Sequence, residues 1–339
     1  MLIFGLITAL MIILQSQTMG YRLPYKTKQF FFVLIKLSIV VGASYFIYQK
    51  LAKNPDLEFH RFIQFTSKNG VFSSKNIIFL LFLSIFNWFL EILKWQNLIS
   101  PINKISFKNA MEQSLGSLTA SLFTPNRIGE YGAKAIYYLP HLRKKVMLTN
   151  LLSNMLQMSV TVAMGIIGFS FFANTYHVEL DYYSIGRFLI IILSVVLLTA
   201  FGITHKRFKL KGFSIERIKI FFSDFPKQKF YIAFVLSFMR YLVFSFQFYL
   251  ILSLFKVDIS YLEAMSVITS MYFIASLLPS IFIFDVVIKG SIAVYLFGIL
   301  GVNELIILST ITIMWLLNFA IPSIFGSYYV LNFKLTQND

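Results

Sequence analysis

Ala120-Ser-Leu-Phe-Thr-Pro-Asn-Arg-Ile-Gly-Glu-Tyr-Gly-Ala-Lys-Ala-Ile136 sets a proline, two glycines and three charges inside otherwise apolar sequence. If Thr124 caps a helix and Pro125 takes its first position, where a missing N–H costs nothing, then Arg127, Glu130 and Lys134 follow at i+3 and i+4 spacing and share one face. Gly129 and Gly132 remove side chains from the same turn, so another backbone or a ligand can approach closely. A charged group against lipid at mid-bilayer costs on the order of 3 kcal/mol on insertion scales. These charges must therefore pair or line a wet cavity. With Asn126 and Gly129 they make the first candidate binding site.

Working outward, the 339 residues are 58% hydrophobic and only 13% charged, and apolar runs recur along the whole length. That is the composition of an all-α, polytopic membrane protein. The basic excess, 30 Lys and Arg against 14 Asp and Glu, fits cytoplasmic loops of a membrane protein rather than a nucleic-acid partner. The absence of cysteine excludes disulfide and thiol chemistry. His60, His141, His177 and His205 are far apart and form no metal-ligand pattern. No nucleophile elbow, phosphate loop or zinc motif is present, so neither cofactor nor metal is expected.

Residues 1–28 form an N-terminal segment, apolar and then basic. Its first 14 residues are short for a span and lack a signal-peptide pattern, and Met19 reads as an alternative start. A first membrane half covers 29–203, with spans near Gln29–Tyr48, Asn76–Leu98, Val146–Ala173 and Ile185–Ile203 and a broken helix at 120–140. Glu91 and Lys94, one turn apart between Trp88 and Trp95, read as an interfacial anchor. Residues 204–229 are a basic cytoplasmic loop: between His205 and Lys229 lie eight Lys or Arg against two acidic residues. Within it Phe213, Ile218, Phe221, Phe222 and Phe225 fit one helical face, as in an interfacial helix or an ordinary solvated loop. The remainder, 230–339, has a span near Phe230–Phe255, a broken helix at 275–300, and a last span near Glu304–Val330 with a kink expected at Pro322. Arg240, inside a span, needs a partner, and Glu263 and Asp285 are the candidates.

The two broken helices echo each other. Ser106-Phe-Lys-Asn-Ala-Met111 matches Ser260-Tyr-Leu-Glu-Ala-Met265, and Ala120-Ser-Leu-Phe-Thr-Pro125 matches Ala275-Ser-Leu-Leu-Pro279. Glu130 with Lys134 matches Asp285 with Lys289, which adds Asp285 and Lys289 to the candidate site. The offset stays at 154 or 155 residues. Six full spans plus two re-entrant hairpins, with the second repeat beginning near residue 185, give an inverted pair with both termini cytoplasmic. The second arm of the later hairpin, about Ile281–Leu300, is also long enough to span outright.

At these residues the chain resembles the membrane domain of bacterial lysylphosphatidylglycerol synthase/flippases and their stand-alone flippase-like relatives. That family carries Pro-x-Arg-x-Gly-Glu in its first half, present here as Pro125-Asn-Arg-Ile-Gly-Glu130. Its second motif, proline- and glycine-rich and ending in Glu, is met by Pro279-Ser-Ile-Phe-Ile-Phe-Asp285, which keeps the proline and an acid but not the glycines. The resemblance implies a lipid translocase fold of the bacterial inner membrane, in which both motifs form a headgroup cavity. The soluble aminoacyl-transferase domain of full synthases is not expected after Val330, so aminoacylation by this chain alone is not expected either.

The resulting expectation is a flippase or transporter for a phospholipid or lipid-linked headgroup, with Arg127 and Lys134 suited to a phosphate and Glu130 and Asp285 to neutralising them. Thr124, Pro125, Gly132 and Pro279 are the structural residues of the site. The expected partners are membrane lipids with an anionic or lipid-linked headgroup, alongside a second copy of the chain or an envelope enzyme. Two alternatives stay open: a polytopic transferase using Asp56, Glu58 and His60, and an accessory subunit of an envelope lipid enzyme.

Overall fold

The computed structural model describes residues 41, 64, 73–122, 124, 128–176, 215–277 and 285–333, the side chains of 215–217 and 285–288 excepted. The expected spans near 29–48 and 185–203 lie outside the described residues. What is described is helical: α1 (Ser74–Ile99), α2 (Phe107–Ser121), α3 (Gly129–Ala135), α4 (Arg143–Thr175), α5 (Ile215–Asp224), α6 (Lys227–Leu254), α7 (Tyr261–Leu277), α8 (Asp285–Ile299), α9 (Glu304–Trp315), a π-turn (Leu316–Ala320) and α10 (Ile321–Asn332). Four are long and apolar enough to cross a membrane: α1, α4, α6, and the continuous run from Glu304 to Asn332. The chain is an all-α polytopic membrane protein.

Helix starts follow local chemistry. Ser73, Ser106 and Asn303 each accept a hydrogen bond from a backbone N–H two or three residues on, at 3.4, 3.2 and 2.8 Å. Ser260 and Glu263 form a reciprocal capping box: the Glu263 N–H donates to Ser260 Oγ at 3.3 Å, and the Ser260 N–H to Glu263 Oε2 at 3.1 Å. The two segments matched in the sequence thus begin in the same way, 154 residues apart.

Neither broken segment is long. α2 and α8 have 15 residues each and α7 has 17, about 22–26 Å of helix at 1.5 Å per residue, short of a hydrocarbon core of about 30 Å.

Packing between the halves is reciprocal. α1 lies along α6, α2 packs on α10, and α7 packs on α4. At the last two crossings a glycine admits the other helix. A Cβ at Gly326 would stand 2.2 Å from Leu115 O and 2.3 Å from Thr119 Oγ1, and one at Gly168 would stand 1.7 Å from Thr269 Oγ1. The largest apolar core joins α6 to α9, with Phe248, Phe297, Val267, Ile268 and Ile307 at its centre.

One expectation is sharpened and one is corrected. The irregularity in the last span is the π-turn at Leu316–Ala320, just ahead of Pro322. The Ile321 N–H reaches back five residues to Leu316 O, and Pro322 has no N–H to offer Asn318 O, so the carbonyls of Leu317 and Asn318 are released from the helix. In the basic loop, α5 turns Phe221, Phe222 and Phe225 against Leu98, Leu152, Leu156 and Ala233, so its aromatic side covers the bundle rather than entering a membrane surface.

Candidate functional site

On α1, Ser84, Asn87, Trp88, Glu91, Lys94 and Trp95 recur at helical spacing and share one face. That face is turned into the bundle, not toward an interface: Glu91 is 7% exposed and Lys94 1%. The anchor reading is therefore corrected, because neighbouring helices cover the end of the span. Glu91 is the hub of an ionic triad. Its Oε2 lies 2.7 Å from Lys94 Nζ and also accepts from Arg240 Nη1 on α6. Among the described side chains Arg240 thus pairs with Glu91 and not with Glu263, while the side chain of Asp285 lies outside the described residues. Its guanidinium also lies 5.9 Å from the Trp88 ring centroid.

The second ionic element comes from the opening stretch. α3 starts only at Gly129, after Ile128 with no side-chain cap, so Thr124 is not the adjacent N-cap expected. Thr124 Oγ1 instead accepts from the Gly129 N–H at 2.9 Å and donates to Ser121 O at 2.8 Å, tying the end of α2 to the start of α3. A Cβ at Gly129 would meet Thr124 Cγ2 at 2.8 Å, whereas one at Gly132 would meet nothing within 4 Å. From this start Glu130 and Lys134 fall one turn apart. Lys134 Nζ lies 2.8 Å from Glu130 Oε1, donates to Asn150 Oδ1 at 2.8 Å and sits 4.1 Å from the Trp95 ring centroid. Trp95 is held in turn by Gln113, whose Oε1 accepts from Trp95 Nε1 and from Tyr138 OH, each at 2.8 Å.

Both ionic elements face one cavity of about 220 Å³. Trp88, Glu91, Lys94, Glu130, Lys134 and Arg240 form its charged side. Asn154, Gln157 and Thr161 of α4, with Ser114 and Ser276, form a neutral polar side. At about 30 Å³ per water the space equals roughly seven waters, enough for a small headgroup. Among the described residues, three cations against two carboxylates leave one excess positive charge on the wall. Ser114 Oγ and Gln157 Oε1 are buried with no hydrogen-bond partner among the described residues.

Of the residues singled out in the sequence, Glu130 and Lys134 reach this cavity, with Thr124 and Gly129 behind them. Pro125, Asn126, Arg127 and Pro279 lie outside the described residues, as do Asp56, Glu58 and His60. Asp285 opens α8, and Lys289 is half-buried on that helix but does not wall the cavity. The second broken segment contributes Ser276, at the end of α7, instead. Sequence reasoning missed Glu91 and Lys94 as site residues and did not place Arg240 with them. The available signal was an acid and a base on the same α1 face as Ser84 and Asn87, together with a mid-span arginine that needed a carboxylate. Among the described residues no group of His, Cys, Asp and Glu is placed to hold a metal ion.

A bundle of helices long and apolar enough to cross a membrane, with ionisable side chains buried around a cavity, defines an integral membrane protein. The family model for the lysylphosphatidylglycerol synthase TM region matches residues 33–326, and the chain belongs to that family. No curated protein and no solved structure matches it significantly.

Proposed function

We propose that the chain is a lipid translocator, whose cavity takes up the phosphate-bearing headgroup of a phospholipid or lipid-linked molecule while the acyl chains stay in hydrocarbon. The observation that carries this reading is the convergence of Glu91, Lys94, Glu130, Lys134 and Arg240 on one cavity inside an otherwise apolar bundle. Burying so many ions costs several kcal/mol each before pairing, and well-packed apolar residues would often stabilise the same position better. An excess cation and a neutral hydrogen-bonding wall are what an anionic diester would use. Glu91 and Glu130 neutralise the cations when no headgroup is bound. Arg127, adjacent in sequence to this wall, is assigned to the same phosphate on the strength of the Pro-x-Arg-x-Gly-Glu motif.

The two halves are read as inverted repeats, supported by the exchanged packing of α2 on α10 and α7 on α4 and by the paired caps at Ser106 and Ser260. The membrane is the bacterial inner membrane, with both termini cytoplasmic on the evidence of the basic 204–229 loop.

Reconstituted vesicles carrying a fluorescent phospholipid test the function. Glu130→Gln and Arg127→Ala are each expected to abolish lipid movement without lowering expression. Both variants moving lipid at the wild-type rate would refute the assignment.

A further inference from the structure

Among the described residues, Arg240 is the one charged group that the second half sends into the cavity, and a chain of amides fixes where it stands. Asn87 Oδ1 accepts from Arg240 Nε at 3.1 Å. Asn87 Nδ2 donates to Asn318 Oδ1 at 3.0 Å, and Asn318 Nδ2 donates to Gln247 Oε1 at 2.9 Å. Gln247 Nε2 closes the chain on Leu80 O at 3.0 Å. Each amide uses its oxygen on one neighbour and its nitrogen on the next, so the run has a single polarity ending on the guanidinium. Asn87, Gln247 and Asn318 are each 2% exposed or less.

Asn318 owes its place to the π-turn. The carbonyls released there are taken by α1: Ser84 Oγ donates to Leu317 O, and Trp88 Nε1 donates to Asn318 O at 3.0 Å. The widened turn is thus clamped to the α1 face that also carries Glu91 and Lys94. Hydrogen bonds between membrane helices average only about 0.6 kcal/mol, so simple adhesion explains such a chain poorly. Its terminus on a cavity cation explains it better.

We infer that Asn318 and Asn87 are positioning residues, which set Arg240 against Glu91 and so couple the register of the last helix to the anion-binding strength of the cavity. The inference rests on the headgroup reading above and adds to it a control element more than 70 residues from Arg240 in sequence.

The test uses the purified full chain in detergent, with dioctanoyl phosphatidylglycerol as the probe. Binding is read by tryptophan fluorescence, because Trp88 and Trp95 lie against Arg240 and Lys134. Asn318→Leu is expected to weaken binding about tenfold, and Asn318→Leu with Arg240→Leu no further than Arg240→Leu alone. Wild-type affinity in Asn318→Leu, or losses that multiply in the double variant, would overturn the inference. Should Asn318→Leu fail to fold, Asn87→Ala enters the same cycle with the same expected outcome. A wild-type chain with no saturable response would sink the headgroup reading alone. The coupling is then judged by melting temperatures of the lipid-free variants, where non-additivity upholds it and additivity overturns it.

Discussion

The first and second parts of the chain, set against each other at the 154-residue offset, differ in the charges they carry. In the first, Glu91, Lys94, Glu130 and Lys134 are all buried. In the second, the counterparts of Glu130 and Lys134 are again an acid and a base, Asp285 and Lys289, but adding the 154-residue offset to Glu91 and Lys94 (91 + 154 = 245; 94 + 154 = 248) gives Ser245 and Phe248. Phe248 sits in the large apolar core, where, among the described residues, only Leu80 and Phe172 of the buried members come from the first part of the chain. Helices matched by the offset thus carry different side chains, an acid and a base on α1 against a hydroxyl and an aromatic ring on α6.

The largest expected effect breaks that division at its hub. Glu91→Leu strips the carboxylate from Lys94 and Arg240, leaving a nearly inaccessible ammonium without its counter-ion, and the expected loss is about 3–5 kcal/mol. A melt in detergent measures it. Replacing Glu91, Lys94 and Arg240 together by Leu is expected to recover most of that stability while lipid movement stays lost. A Glu91→Leu chain melting with the wild type would mean that the first half is not held by its ions.

The glycine crossings come next, and they differ from each other. Gly326→Ala drives a methyl into the Leu115 carbonyl, a backbone atom that cannot step aside, and is expected to cost about 1–3 kcal/mol. Gly168→Ala chiefly meets the Thr269 side chain, whose hydroxyl can rotate away, so a smaller loss is expected. Equal melting temperatures for the two variants would show the crossings to be equivalent.

How far these features could be read from the chain depends on how local their causes are. The likeness of the Ser106 and Ser260 stretches and the Glu130–Lys134 pair were legible because each is written within a few residues, whereas the capping by the two serines was not read from the sequence. Glu91 and Lys94 were not, since a charge pair near the end of an apolar run looks the same whether it meets water or a neighbouring helix. What buries them is α6, whose Arg240 stands 149 residues away. The π-turn escaped for a related reason. Pro322 announces a broken ladder, but which carbonyls are released, and that Ser84 and Trp88 collect them, depends on α1 lying alongside.

The smallest effect bears on the matched helix starts. Ser106 provides one bond, to the Asn109 N–H. Ser260 receives the Glu263 N–H and has its own N–H bound by the Glu263 carboxylate, whose other oxygen takes Tyr176 OH at 3.4 Å from the end of α4. Ser106→Ala removes a cap worth about 1 kcal/mol. Ser260→Ala removes a cap and loosens the acid that ties α7 to α4, so its melting temperature is expected to fall further. Adding Tyr176→Phe separates the two contributions: in the Ser260→Ala background, where the residue-260 N–H still donates to Glu263 Oε2, it should cost little more. A full additional loss there would make the Tyr176 contact, and not the cap, the reason the second start is the stronger.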